Sequence, residues 1–442
     1  MLAPAAGGAL METLLPLAMA ALTLAGIMAG YRVGMVLAGS AALFILVSHL
    51  PTAFFNLLVS RIYANVLSNW LLVAIPMFIF MGLILEMSGV AERSLRAAQR
   101  ALGGSAAGMG ISVLVIGVLL AASSGIVGAS VVLLALLALP RLQETGFDKP
   151  TSAGLIAASG TLAILIPPSI MLIVLGDQLQ TPVPDMFAGA IGPGLLLVAV
   201  YGAFVIWKAR GLPALPRTDR PAPLRLLFDL GPLLVLVITV LGSIVAGIAT
   251  PTEASGLGAF GALLITLLYG RFSIAMMMNA ARRTVVTTAL VLFVMIGATC
   301  FSAVFKGIGG DDMVSAAIMA FGTDPYTVLA VVMVAIFILG FVLDWLEITL
   351  ILLPIFAPVV AGLDFGNGLT GQDTKIWFGI LVAINLQTSF LTPPFGFSLF
   401  YLRGAAGDAL STRQIYRGVL PFIGLQVLVL VLLILFPRFI TG

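Results

Sequence analysis

Oxygen-bearing side chains gather at four breaks in an otherwise apolar chain, and their chemistry suits a small hard cation. The first break is Ser123-Ser124-Gly125. The second, Gly160 and Thr161, precedes Pro167-Pro168 by a few residues. The third is Thr349. The fourth, Thr388, Ser389 and Thr392, precedes Pro393-Pro394. A Pro-Pro pair within an apolar run removes two backbone donors and frees carbonyls upstream of it. At membrane depth those carbonyls need partners, and a hard cation such as sodium takes carbonyl and hydroxyl oxygens. Half-helices that begin at such a break aim their positive N-terminal ends inward, which suits a carboxylate. Pro167, Pro168, Pro393 and Pro394 are therefore candidates for substrate contact or gating. Any one of these Ser, Thr or Gly residues also fits plain helix packing, where small residues permit close approach. The four clusters together, with their matched Pro-Pro breaks, favour a binding role.

Asp344 and Glu347 stand one helical turn apart and share a face. Acids at membrane depth are costly and usually functional. These two could bind a cation, carry a proton, gate the site, or accept from a neighbouring helix. Glu86 and Glu253 fall near predicted span ends and read as solvated or capping. The lone Cys300 lies in an apolar run and the lone His49 at the end of one. No disulfide framework, metal set or bound cofactor is indicated.

The elements that must position these residues are membrane helices. Residues of the AVILMFWYC class make up 61% of the 442 residues and charged ones only 9%, against roughly a quarter charged in soluble domains. Single spans are expected at 10–30, 33–50, 70–87, 151–175, 186–207, 227–246, 251–269, 284–304, 376–400 and 417–437. Two longer apolar stretches, 108–140 and 326–361, are broken in the middle by Ser123-Ser124-Gly125 and by Asp344, Glu347 and Thr349. A polar break is tolerated in lipid only when it is buried or lines a wet cavity. Both stretches are read as re-entrant helical hairpins; charge placement excludes a single crossing of either stretch but leaves a pair of crossings open. No secretory signal precedes the first span, and Met11 is an alternative start to Met1.

With hairpins that do not cross, 17 of the 21 Lys and Arg fall on one side. That side is cytoplasmic by the positive-inside rule, and both termini are periplasmic. Two halves of like layout follow, 1–207 and 227–442, each with five crossings and one hairpin. The first hairpin is on the cytoplasmic side and the second on the periplasmic side. An odd number of crossings inverts the second half relative to the first, as in many secondary transporters. In a register of 226 positions Ser123 falls opposite Thr349. The linker 208–226 is rich in Pro and Arg and reads as a cytoplasmic connector. The fold class expected is an all-α polytopic membrane protein with an inverted repeat and two re-entrant hairpins.

At its motifs the chain resembles the large membrane subunit of tripartite ATP-independent periplasmic (TRAP) transporters, over nearly its whole length. The stretches that carry this are Ala158-Ser159-Gly160-Thr161 through Pro167-Pro168-Ser169-Ile170, Phe187-Ala188-Gly189 with Pro193-Gly194, Gly247 through Thr250-Pro251-Thr252-Glu253-Ala254, and Leu391-Thr392-Pro393-Pro394-Phe395-Gly396. The resemblance implies a sodium-coupled elevator of the ion transporter superfamily type, importing an organic acid through the bacterial inner membrane. It also implies a small four-helix membrane subunit as a separate chain and a periplasmic substrate-binding receptor, with no nucleic acid partner. Asp344-Trp345-Leu346-Glu347-Ile348-Thr349 resembles the branch associated with keto acids, hydroxy acids and chloroaromatic acids. Proton coupling within the same superfamily is the alternative. An intramembrane lipid phosphatase would need arginines at the breaks, and the arginines here sit in loops and at helix ends. A passive channel would need a continuous polar lining, whereas the polar residues are confined to four breaks.

Overall fold

The computed structural model describes residues 6–48, 50–51, 53–102, 105–124, 127–213, 223–366, 368–369 and 371–441. All regular structure in them is helical. The first half contains α1 (Ala6–Met28), α2 (Val33–Val47), α3 (Ala53–Ile62), α4 (Ala74–Met87), α5 (Val90–Leu102), α6 (Ala106–Ser124), α7 (Val127–Glu144), α8 (Lys149–Thr161), α9 (Ile170–Leu179) and α10 (Val183–Lys208). The second contains α11 (Pro223–Val245), α12 (Pro251–Leu268), α13 (Ile274–Gly307), α14 (Gly310–Met319), α15 (Pro325–Leu339), α16 (Trp345–Ile351), α17 (Leu353–Ala361), α18 (Gln372–Leu391), α19 (Phe397–Ala406), α20 (Thr412–Leu435) and the short α21 (Arg438–Thr441). Among the described residues, eight helical segments are long and apolar enough to cross a membrane.

The order of elements is similar in the two halves. Helices α1–α4 in the first, and α11–α13 in the second, lead to a shorter helix, α5 or α14. A broken stretch follows, α6–α7 or α15–α17. Then comes a helix interrupted at Pro-Pro, α8–α9 or α18–α19, and a long last helix, α10 or α20. The expected single spans at 151–175 and 376–400 are thus each two helices joined through a Pro-Pro segment.

Helix starts follow local chemistry. Asp148 accepts from Thr151 N–H ahead of Pro150 to open α8, and Asp324 accepts from Thr327 N–H ahead of Pro325 to open α15. Thr250 and Glu253 form a reciprocal capping box around Pro251 at the start of α12. Ser411 and Gln414 do the same for α20.

Packing divides the chain into two units that do not coincide with the sequence halves. One comprises Met1–Leu72 and Thr287–Lys375, the other Val73–Val286 and Ile376–Gly442. Each draws on both halves. In the first unit Thr23 on α1 donates to Ser40 on α2 at 3.1 Å. In the same unit, Lys306 near the end of α13 donates to Pro354 O at 3.1 Å and pairs with Asp311 at 3.5 Å.

The second unit has α8 at its centre, with nearly every residue buried. Helices α6, α7 and α20 pack on it. At the α8–α20 crossing the backbones meet: a Cβ on Gly154 would stand 2.0 Å from Gly418 O. Only glycine fits there.

Helix α5 was not anticipated as an element. It buries Ser94, Leu95, Ala97 and Ala98 and carries Glu92, Arg93, Arg96 and Arg100 on its other side, the pattern of an interfacial helix. Arg93 pairs with Asp229 of α11 at 2.5 Å, and its guanidinium lies 4.5 Å from the centre of the Tyr269 ring. Tyr269 Oη donates in turn to Phe228 O at 2.7 Å. This clasp joins α5, α11 and the end of α12.

Candidate functional site

The two Pro-Pro segments are built alike. In each, the peptide bond between the prolines is cis, at Pro167-Pro168 and Pro393-Pro394. Helix α8 ends at Thr161, a short 3-10 turn covers Leu162–Ile164, and α9 begins at Ile170. Helix α18 ends at Leu391 and α19 begins at Phe397.

Freed carbonyls at the two breaks find the same kind of partner. Ser169 Oγ donates to Ile164 O at 2.7 Å, and Ser398 Oγ donates to Phe390 O at 2.6 Å. Ile164 and Phe390 are 226 positions apart, which is the register of the repeat. Serines just beyond the prolines therefore serve these two carbonyls, where the sequence had allowed a cation as their partner. Neither serine was a candidate from sequence.

The hydroxyls of the two clusters are oriented by their own helices. Thr161 donates to Ala158 O at 2.9 Å, Thr388 to Ile384 O at 2.8 Å, Ser389 to Leu386 O at 2.8 Å and Thr392 to Thr388 O at 2.7 Å. Each hydroxyl thus commits its single proton to a carbonyl and keeps oxygen lone pairs for another partner. Thr161, Thr388 and Ser389 are buried, and Thr392 is half-buried. The first break is closed, with Pro167 and Pro168 buried; the second is more open, with Pro393 half-buried and Pro394 exposed.

A contact between the clusters joins them. Gln387 Nε2 donates to Thr161 Oγ1 at 3.4 Å, again across 226 positions. Gln387 and Thr161 are both fully buried. Among the described residues Gln387 Oε1 and Ser159 Oγ are buried without a hydrogen-bond partner. Gln387 was not a candidate from sequence. The usable signal was a glutamine inside a largely apolar span, 226 positions beyond Thr161.

Gly160 has a packing explanation. A Cβ there would lie 2.4 Å from Val131 Cγ2 and 3.0 Å from Val131 N, so α7 crosses α8 at this glycine. Ser123 and Ser124 form the last turn of α6, and Gly125 lies outside the described residues.

Thr349, Asp344 and Glu347 belong to the other packing unit. Asp344 is the N-cap of α16 and Glu347 its third residue, and they form a reciprocal capping box. Asp344 Oδ1 accepts from Trp345 N–H at 2.8 Å, and Glu347 Oε2 accepts from Asp344 N–H at 2.5 Å. Thr349 Oγ1 donates to Trp345 O at 2.7 Å. The two acids therefore serve the backbone at the break between α15 and α16. Among the described residues no group of three or more His, Cys, Asp or Glu could hold a metal ion.

The chain matches the family described as "Tripartite ATP-independent periplasmic transporter, DctM component" over residues 17–439. It is 31% identical to the isethionate TRAP transporter permease protein DctMQ of Oleidesulfovibrio alaskensis, over 85% of this chain and 58% of that protein. It is 28% identical to the C4-dicarboxylate TRAP transporter large permease protein DctM of Pseudomonas aeruginosa, over 84% of this chain and 85% of that one. The fold is similar to that of the YdaH transporter of Alcanivorax borkumensis, with a TM-score of 0.64 at 15% identity, covering 88% of this chain and 90% of that one.

Proposed function

The chain belongs to the tripartite ATP-independent periplasmic transporter DctM family, and from that premise we propose that it imports an organic acid on a sodium gradient. It is a multi-pass protein of the bacterial inner membrane and not an enzyme. Relatives named for isethionate and for C4-dicarboxylates share an acidic substrate. The run from Asp344 to Thr349 supports the keto acid, hydroxy acid and chloroaromatic branch. A small four-helix membrane subunit and a periplasmic receptor complete the system; the isethionate permease joins M and Q in its name.

One observation carries the coupling reading. Two polar breaks related by 226 positions lie in one packing unit, their hydroxyl protons are committed to carbonyls, and their oxygens stay available. Such oxygens favour a cation over an anion. Gly160, Thr161, Thr388, Ser389 and Thr392 are assigned to cation binding, with Ser123, Ser124 and Gly125 of the first broken stretch; Thr349, in the other packing unit, is assigned to cation binding separately. Helices α9 and α19 begin just beyond the prolines, and their N-terminal ends suit the substrate carboxylate. Re-entrant hairpins and elevator movement complete the mechanism. Proton coupling through Asp344 and Glu347 has less support, because both carboxylates accept from backbone N–H groups.

Reconstitution into vesicles with the two partners tests this. Uptake of a labelled organic acid should require an inward sodium gradient, and Thr392→Ala or Ser124→Ala should weaken that dependence while the protein stays in the membrane. Uptake driven equally by a proton gradient in sodium-free buffer would overturn it.

A further inference from the structure

Gln387 stands where the two breaks meet, and no family motif quoted above includes it. Its side chain is fully buried. Nε2 donates to Thr161 Oγ1, which donates onward to Ala158 O. Thr161 thus receives one hydrogen bond and gives one, and a single lone pair remains. The other end of the same amide, Oε1, has no partner among the described residues.

A buried amide oxygen without a donor is a costly arrangement unless something positive reaches it. No lysine or arginine is bonded to it among the described residues. Within one carboxamide the oxygen lies no more than about 6 Å from whatever the nitrogen touches. A hard cation with oxygens at roughly 2.3–2.6 Å bridges ligands up to about 5 Å apart. Oε1 is a donor-free oxygen within about 6 Å of Thr161 Oγ1, on the residue next to Thr388, so a hard cation is a partner of suitable chemistry for it. In sequence Gln387 adjoins Thr388 and Ser389 of the second cluster, and in space its nitrogen holds Thr161 of the first.

We propose that Gln387 Oε1 is a ligand for a coupling cation, and that the Gln387–Thr161 bond makes occupancy of the two clusters cooperative. A cation drawn to Oε1 fixes the amide, the amide fixes Thr161, and the first cluster is thereby ordered for a second cation. This rests on the sodium-coupled reading above and adds to it a specific residue and a link between sites.

The experiment is radiolabelled sodium binding to the purified full chain, with choline chloride holding ionic strength constant. The variants are Gln387→Met, Gln387→Glu and Thr161→Val. The wild type should bind with a sigmoidal isotherm. Gln387→Met, which lacks the oxygen, should raise half-saturating sodium by about tenfold or more, equivalent to about 1.4 kcal/mol, and bring the Hill coefficient to about one. Gln387→Glu keeps an oxygen at the same place but loses the Nε2 donor, so half-saturating sodium should stay near the wild-type value while the Hill coefficient falls. Thr161→Val should lower the Hill coefficient while leaving the second cluster's affinity largely unchanged. An unaltered isotherm for Gln387→Met overturns the inference while the coupling reading stands. Absence of sodium binding in the wild type overturns both. Should Gln387→Met fail to fold, Gln387→Asn, which withdraws the oxygen by one methylene, is read the same way.

Discussion

Gly160 separates packing from ion binding, because the structure gives a volume argument at that position. Replacing it by alanine places a methyl 2.4 Å from Val131 Cγ2, 3.0 Å from Val131 N and 3.1 Å from Val131 Cα. The first contact is more than 1 Å short of carbon–carbon van der Waals distance. The valine has few ways to yield, since β-branched side chains are held to one main rotamer in a helix. Helices α7 and α8 must therefore separate, and overpacking of this kind costs about 1–3 kcal/mol. Val131→Ala removes the 2.4 Å contact but leaves the two backbone contacts. The double variant Gly160→Ala/Val131→Ala should thus recover most of the loss, with a coupling of about 1 kcal/mol or more in a double-mutant cycle. The assay is thermal unfolding of the detergent-purified protein, run with and without sodium. The expected order of midpoints is wild type, then the double variant, then Gly160→Ala, in either buffer. A Gly160→Ala midpoint equal to wild type without sodium, and lower only with it, would refute the packing argument and return Gly160 to the ion site alone.

Three further outcomes follow from other contacts. Arg93→Met leaves the buried Asp229 unpaired; with the arginine side chain 46% exposed, the loss is about 1–2 kcal/mol. Asp229→Asn should cost less, and added salt should narrow the difference in thermal midpoints. Glu347→Ala removes one arm of the α16 capping box and should destabilise by about 1 kcal/mol, whereas Glu347→Gln, also a capping-box residue, should unfold like wild type. Full sodium-driven uptake by Glu347→Gln would confirm the backbone role, and loss of uptake at normal stability would contradict it. Ser398→Ala leaves Phe390 O without its hydroxyl donor and should lower the thermal midpoint by an amount equivalent to about 1–3 kcal/mol; an unchanged midpoint would contradict the assignment.

What could be read in the sequence depended on which physical signal each element carries. Apolar runs long enough to cross a bilayer are written in composition, so α10, α11, α12 and α20 fall close to their expected positions. Helix α5 escaped because its signal is the opposite one. It alternates charge with small and apolar residues at helical spacing, which reads as a basic loop when the search is for apolar runs. The Pro-Pro breaks were legible because proline is a strong local constraint, yet the partners of the freed carbonyls were not. Ser169 follows its Pro-Pro pair at once, while Ser398 follows its own after three further residues, so no fixed spacing marks the role. Gln387 was hidden for a different reason: its importance lies in a contact spanning 226 positions, and only the repeat register makes that contact readable.

The acids show where function was inferred from cost alone. Asp344 and Glu347 at membrane depth suggested ion or proton chemistry. The same spacing, an N-cap residue with an acid three positions on, is also that of a capping box, and Thr250 with Glu253 shows it at the start of α12, four helix starts earlier in the chain. Both boxes open helices that begin abruptly, one after Leu343 and one at Pro251. A carboxylate that accepts backbone N–H bonds meets the need of a helix start inside or beside lipid, where water cannot serve those donors. The chain thus divides its polar chemistry in two. Carboxylates stabilise helix starts, and neutral oxygens, with Gln387 at their junction, are the groups on which the proposed cation sites rest.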